Sequence, residues 1–239
     1  MILVAVEKIE FTFLGLELLE PNTLITDLIL GILCVYFGLK LKRFSENQFF
    51  FQNWKKFLFI FGAGAIFGGI GHAFYNYFGI LGKTPAWILS IIAVYFIERS
   101  MVSIHPREVF SIWLRKFSLL KLIFISASLF LIIIFGDPVL KERNSILLVI
   151  INSLISVTLS AGVLSLHYYR KGLSDHFLLL ATGVLIMIPS AGVFILDVNL
   201  FQWFDKNDIS HVLLGTGIAF FYIGLSRLFI QQPACLIQR

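Results

Sequence analysis

The sequence predicts an all-α fold: a polytopic seven-transmembrane-helix bundle, with its N-terminus outside and its C-terminus in the cytoplasm. Three observations predict it. Of 239 residues, 58% are apolar and only 14% charged, with a mean hydropathy of +0.90; soluble domains run nearer half apolar and a quarter charged. Seven runs approach the roughly 20 apolar residues that a helix needs to cross a bilayer. Lys and Arg are shared unequally between alternate connectors. A soluble globule, a disordered tail and a nucleic-acid reader are all poor readings. The net charge of +5 rests on few charges, and in membrane proteins such an excess marks cytoplasmic loops. The partners implied are membrane lipids, and the place implied is a bacterial inner membrane.

Residues 1–21 come first. They lack the positive start of a signal peptide, and Glu7, Lys8 and Glu10 interrupt the apolar stretch. Phe11, Phe13, Leu14, Leu16, Leu18 and Leu19 alternate with Glu10, Glu17 and Glu20. This reads as an amphipathic segment on the outer surface, lying on the membrane or over helix ends. Residues 22–230 form the transmembrane domain, with spans expected at 22–39, 57–78, 85–101, 117–135, 146–166, 177–196 and 209–230. The third is the shortest in apolar length, because Glu98 and Arg99 close it. Before the fourth, Arg107, Val109, Phe110, Ile112, Trp113 and Lys116 suggest a separate short interfacial helix. Pro189, Ser190 and Gly192 could kink the sixth. Residues 231–239 form a cytoplasmic tail. Cys34 and Cys235 give neither a disulfide framework nor a metal spacing.

Assigning alternate connectors to alternate sides places 14 Lys and Arg on one side and 5 on the other. The richer side is cytoplasmic by the positive-inside rule, which requires an odd number of spans. Trp54, Trp87, Trp113 and Trp203 fall near expected span ends, where indole prefers the interface.

Ionisable residues inside a bilayer are costly and mark candidate function. Asp27 in span one, His72 in span two, and Asp208 and His211 opening span seven all fall in the outer half, with Asn76 and Asn207 beside them. Gly64, Gly68, His72 and Asn76 repeat every four residues, one stripe of a helix that glycine lets a neighbour approach. Asn207 and Asp208 stand four and three residues before His211. Two imidazoles and one or two carboxylates on one layer could hold a divalent metal, since catalytic zinc takes three N or O ligands and leaves one place for water. The same group could equally satisfy its own hydrogen bonds as packing, and Asp27 could be a helix cap. Glu98 reads as a surface ion pair with Arg99 or a basic loop. Asp197 could join the polar layer or stand in solvent.

Thr26-Asp27, Gly71-His72 and Asn207-Asp208-Ile-Ser-His211 resemble an uncharacterised family of bacterial seven-helix membrane proteins known as a domain of unknown function. More distantly, the layout is similar to the CREST superfamily, which includes alkaline ceramidases and the progestin and adipoQ receptors. That resemblance implies an intramembrane zinc, held in the family by a second-helix His and an HxxxH motif in the seventh. Here His72 and His211 match, Asn207 replaces the first His of HxxxH, and Gly68 replaces the family's Ser. Asp208 is the replacement ligand.

Three functions follow as expectations. The first is a metal-dependent hydrolase of a lipid amide or ester, with His72, His211 and Asp208 on zinc, Asp27 and Asp208 in catalysis, and Asn76 and Asn207 binding substrate. The second is a non-enzymatic receptor or lipid-binding protein whose polar layer is structural. The third is a small-solute transporter, disfavoured by an inner half read as apolar. A retinal protein is excluded, because span seven has no Lys for a Schiff base.

Overall fold

The computed structural model describes residues 8–42 and 48–231. Among them are seven helices long and apolar enough to cross a membrane, preceded by a small β-hairpin that departs from an all-α fold. Strands β1 (Glu10–Phe13) and β2 (Leu16–Leu19) are antiparallel, with Glu10 opposite Leu19 and Phe13 opposite Leu16. Leu14 and Gly15 both take positive φ, as a two-residue type I′ turn requires. The alternation noted in the sequence is therefore a strand period. Leu18 and Leu19 are buried, and the Glu17 N–H donates to the Tyr77 hydroxyl at 3.0 Å, fastening the hairpin over helix ends. The expected segment 1–21 is described from residue 8, and the tail 231–239 only at Gln231.

Helix α1 (Pro21–Lys42) starts with proline, whose missing N–H costs nothing at a first helical position. Helix α2 (Phe49–Ala73) begins earlier than expected. Its first turns are held by protein contacts: Phe50, Phe51, Trp54 and Phe57 are buried, with Trp54 edge-on to Phe221. Trp54 and Trp87 are thus core residues and not interfacial anchors, whereas Trp113 and Trp203 are exposed. Helix α2 stops at Ala73. A single turn, α3 (Tyr75–Phe78), follows, and Gly79 at φ 53 turns the chain into α4 (Ile80–Ser103). The four-residue stripe therefore ends at His72, and Asn76 falls on α3, exposed.

Helix α5 (Glu108–Phe135) is one continuous helix, and the expected interfacial helix is its first turns. The fifth span runs from α6 (Lys141–Val157) through a π-helical segment, Thr158–Leu164, into α7 (Ser165–Arg170). The last spans are α8 (Phe177–Ile195) and α9 (Lys206–Gln231). Helix α2 packs between α1 and α4, α8 packs on α9, and α9 returns to α1; α5 stands outside, against α4 and α6. Glycine lets helices approach closely: a Cβ on Gly71 of α2 would lie 2.5 Å from the Gly82 carbonyl oxygen of α4, and one on Gly31 of α1 would lie 2.8 Å from the Gly62 carbonyl oxygen of α2.

Candidate functional site

The N-terminus of α9 sets out the site. Asp205 accepts the N–H groups of Asn207 (2.7 Å) and Asp208 (3.3 Å), while Asp208 Oδ2 accepts the Asp205 N–H at 3.0 Å. This reciprocal pair is a capping box built from two aspartates. Asp208 also receives Asn22 Nδ2 on Oδ2 at 2.7 Å and the Thr26 hydroxyl on Oδ1 at 2.8 Å. Asn22 and Thr26 are one turn apart on α1, so Asp208 locks two helices together. It is fully buried and does not line the cavity described below.

One turn further along α9 stands His211. Its Nδ1 lies 2.9 Å from Thr26 Oγ1 and its Nε2 lies 3.2 Å from Asp27 Oδ1. With the Thr26 hydroxyl proton donated to Asp208, His211 Nδ1–H donates to Thr26, which leaves Nε2 facing the Asp27 carboxyl group. Gly68 on α2 makes room for this carboxylate: a Cβ there would lie 3.2 Å from Asp27 Oδ2.

His72 is held separately. Its Nδ1 pairs with Glu20, the residue between β2 and α1, and Lys8 Nζ pairs with the other Glu20 oxygen at 3.2 Å. Burial opposes ionisation of Glu20, but the hydrogen bond from His72 and the charges around it outweigh burial and hold its pKa at about 2. Glu20 itself has φ 51, a left-handed conformation that aims the chain into α1. Beyond it, Lys83 Nζ donates to Glu142 at 2.7 Å, Tyr75 OH donates to the same carboxylate at 2.5 Å, and Lys8 and Lys83 both lie over the Tyr75 ring.

These groups surround one end of a cavity of about 260 Å³ in the centre of the bundle. Asp27, His72, Lys83, Asn207 and His211 line the polar end, and Phe57, Phe61, Val94, Leu154 and Val184 line its body. Ser90, Ser190 and Ser210 also reach it, but their hydroxyls donate to carbonyls of their own helices, which leaves the body apolar in character. A second, polar well of about 200 Å³ lies beside the first on the hairpin side, and Asn207 lines both.

Four sequence-predicted residues therefore meet at the cavity: Asp27, His72, Asn207 and His211. Asp208 and Asn76 do not. Asp208 spends its oxygens on the cap and on α1, and Asn76 is carried off by the break after Ala73. Asp197 is exposed and pairs with Lys206 at 2.8 Å. Among the described residues, no group of three or more His, Cys, Asp and Glu is arranged to hold a metal ion. Glu20 and Lys83 were missed. Nothing in its spacing marks Glu20, and Lys83 lies among Gly79, Gly82 and Pro85, which read as a loop although α4 runs through the last two.

The half of the bundle away from the hairpin is not wholly apolar. Glu98 of α4 pairs with Lys121 of α5, not with Arg99 or a loop. Ser118 also donates to Glu98, and Lys121 donates further to Ser156.

Residues 22–229 match the model of a family of unknown function, DUF6962, and the chain belongs to that family. No curated protein and no solved structure matches it.

Proposed function

We propose that this member of the family is a multi-pass membrane protein that binds an amphiphilic molecule, head first, in its central cavity. The polar head meets Asp27, His211, His72 and Asn207, and the apolar tail lies among Phe57, Phe61, Val94 and Val184. The observation that carries the reading is the division of the cavity itself: an apolar body of this size with a few convergent polar groups at one end is the usual form of a small-molecule site. Asp27 and His211 bring a carboxyl group and an imidazole to that end, a donor and acceptor set that suits an amide, an ester or a hydroxyl. The unequal sharing of Lys and Arg between alternate connectors, 14 against 5, supports a hairpin face directed outward. Binding of a fluorescent fatty-acyl amide to the purified protein tests the reading. Ala191→Phe, which fills the cavity wall, should weaken that binding about tenfold, the effect of roughly one lost apolar contact of this size. Equal binding by the variant contradicts it.

Zinc-assisted hydrolysis of a lipid amide or ester is the second reading. What favours it is that both imidazoles have Nδ1 held by an oxygen, from Glu20 and from Thr26, the outer support that metal-ligating histidines use. The donor set fits poorly with Asp208 in it, so Asp27 would have to stand in its place. Zinc analysis decides: a stoichiometric ion that is lost in His211→Ala supports the hydrolase, and a metal-free protein indifferent to chelator removes it.

A further inference from the structure

A second line of polar side chains crosses the bundle beside the cavity. On α6, Glu142, Ser145, Val149, Asn152 and Ser156 recur at spacings of three and four, which puts them on one helical face. That face looks onto α4 and α5. Glu142 meets Lys83 of α4, Val149 packs with Trp87 and Ile91 of α4 and Leu129 of α5, and Ser156 meets Lys121 of α5. Read along the helix, the line is polar, then apolar, then polar again.

Its middle is unusual. Ser145 Oγ and both side-chain atoms of Asn152 are buried and have no hydrogen-bond partner, and Asn152 is only 6% exposed. The position is near the middle of a 30-residue span. In hydrocarbon an unpaired amide is strongly unfavourable, and the group small enough to satisfy one within a packed bundle is water. One turn from Asn152, Ser156 and the Lys121–Glu98 pair provide the next polar partners toward the opposite face. One turn from Ser145, the Glu142–Lys83–Tyr75 group does the same toward the hairpin face. Trp87, Ile91, Leu129 and Val149 pack between the two. Trp87 and Val149 also line the cavity and stand between its body and this seam, and Lys83 is common to the polar end of both.

We propose that the α4–α5–α6 seam is a water pathway closed by an apolar plug. Water reaches Asn152 from the Glu98–Lys121 side and Ser145 from the hairpin side, and the Trp87–Ile91–Leu129–Val149 layer keeps the two from joining by excluding water, as hydrophobic constrictions in channels do. The species that crosses when the plug opens is a proton carried on a water chain. The inference is independent of what the cavity binds.

Single cysteines at 145, 149 and 152, in a Cys34→Ala/Cys235→Ser background reconstituted in lipid vesicles, test it with the small cationic reagent methanethiosulfonate ethylammonium. Cysteine at 152 and at 145 should react at least about tenfold faster than at 149, since the reagent modifies the thiolate, which needs water. Reaction at 152 as slow as at 149 overturns the proposal. Val149→Ser provides a second, separate readout: wetting the plug should raise proton leak into the vesicles about tenfold over the unaltered protein. An unchanged leak with folded, monodisperse Val149→Ser also overturns it.

Discussion

Asp27 and His211 meet at one end of the bundle with a cavity before them, whereas Glu98 and Lys121 meet in the other half with serine hydroxyls packed around them. Both pairs are ionisable groups held inside a membrane bundle by a helix neighbour. They differ in what remains unspent. Glu98 receives Lys121 and Ser118, and Lys121 also reaches Ser156, so this pair is an element of packing. Asp27 and His211 meet each other and still face an open space. The lesson is that a buried charge signals function by its unfilled surroundings more than by its burial. Asp208 makes the same point from the hairpin end, because it is more enclosed than Asp27 or Glu20 and less available than Asp27.

The comparison can be broken most severely at Glu98 and Lys121. Lys121→Met leaves Glu98 without its counter-charge and should cost about 3–5 kcal/mol, whereas the Lys121→Met/Glu98→Leu double variant should recover most of that loss. Unfolding in mixed micelles measures both, and a single variant as stable as the parent would mean that the pair does not hold the helices. Next comes Glu20. Its carboxyl is held at about 2 in the fold, below its ordinary 4.5, a difference of about 3 kcal/mol. A lowered pKa contributes stability that is fully present above pH 4.5 and is lost as pH falls toward 2. Glu20→Gln should therefore be less stable at neutral pH and should lack the parent's decline across that window, as followed by thermal unfolding at several pH values.

Smaller effects sharpen the outer half. Asp208→Ala removes the capping box and the bonds from Asn22 and Thr26, for an expected loss of about 2 kcal/mol. It should nevertheless bind the acyl amide better than His211→Ala does, when both are compared at a temperature where each is folded. Asn76→Ala should change stability by less than about 0.5 kcal/mol, the ordinary effect of an exposed substitution, and leave binding unchanged.

The seven spans could be read from composition alone, since a bilayer demands long apolar runs whatever their neighbours. The depth of Asp27, His72 and His211 was also legible, because residues entering alternate spans from one side share a level. Depth does not fix direction, however. Asp208 and His211 lie three residues apart on one helix, yet the first points at α1 and its own cap while the second reaches the cavity. Asn76 sat on the correct stripe, but the stripe depends on an unbroken helix, and Phe74 and Gly79 break it. Glu20 could not be found by period or motif; it comes to His72 through the hairpin's turn into α1, a contact made between parts 52 residues apart. Lys121 falls within the expected fourth span, yet nothing in its spacing shows that it meets Glu98 of α4.

The central claim concerns the polar end of the cavity, and native mass spectrometry of protein released gently from the membrane tests it most directly. The account predicts about one bound amphiphile per chain in the parent protein, as for a single preformed site, and its loss from a folded His211→Ala variant. Equal occupancy in the two, or none in the parent at saturating acyl amide, would contradict it.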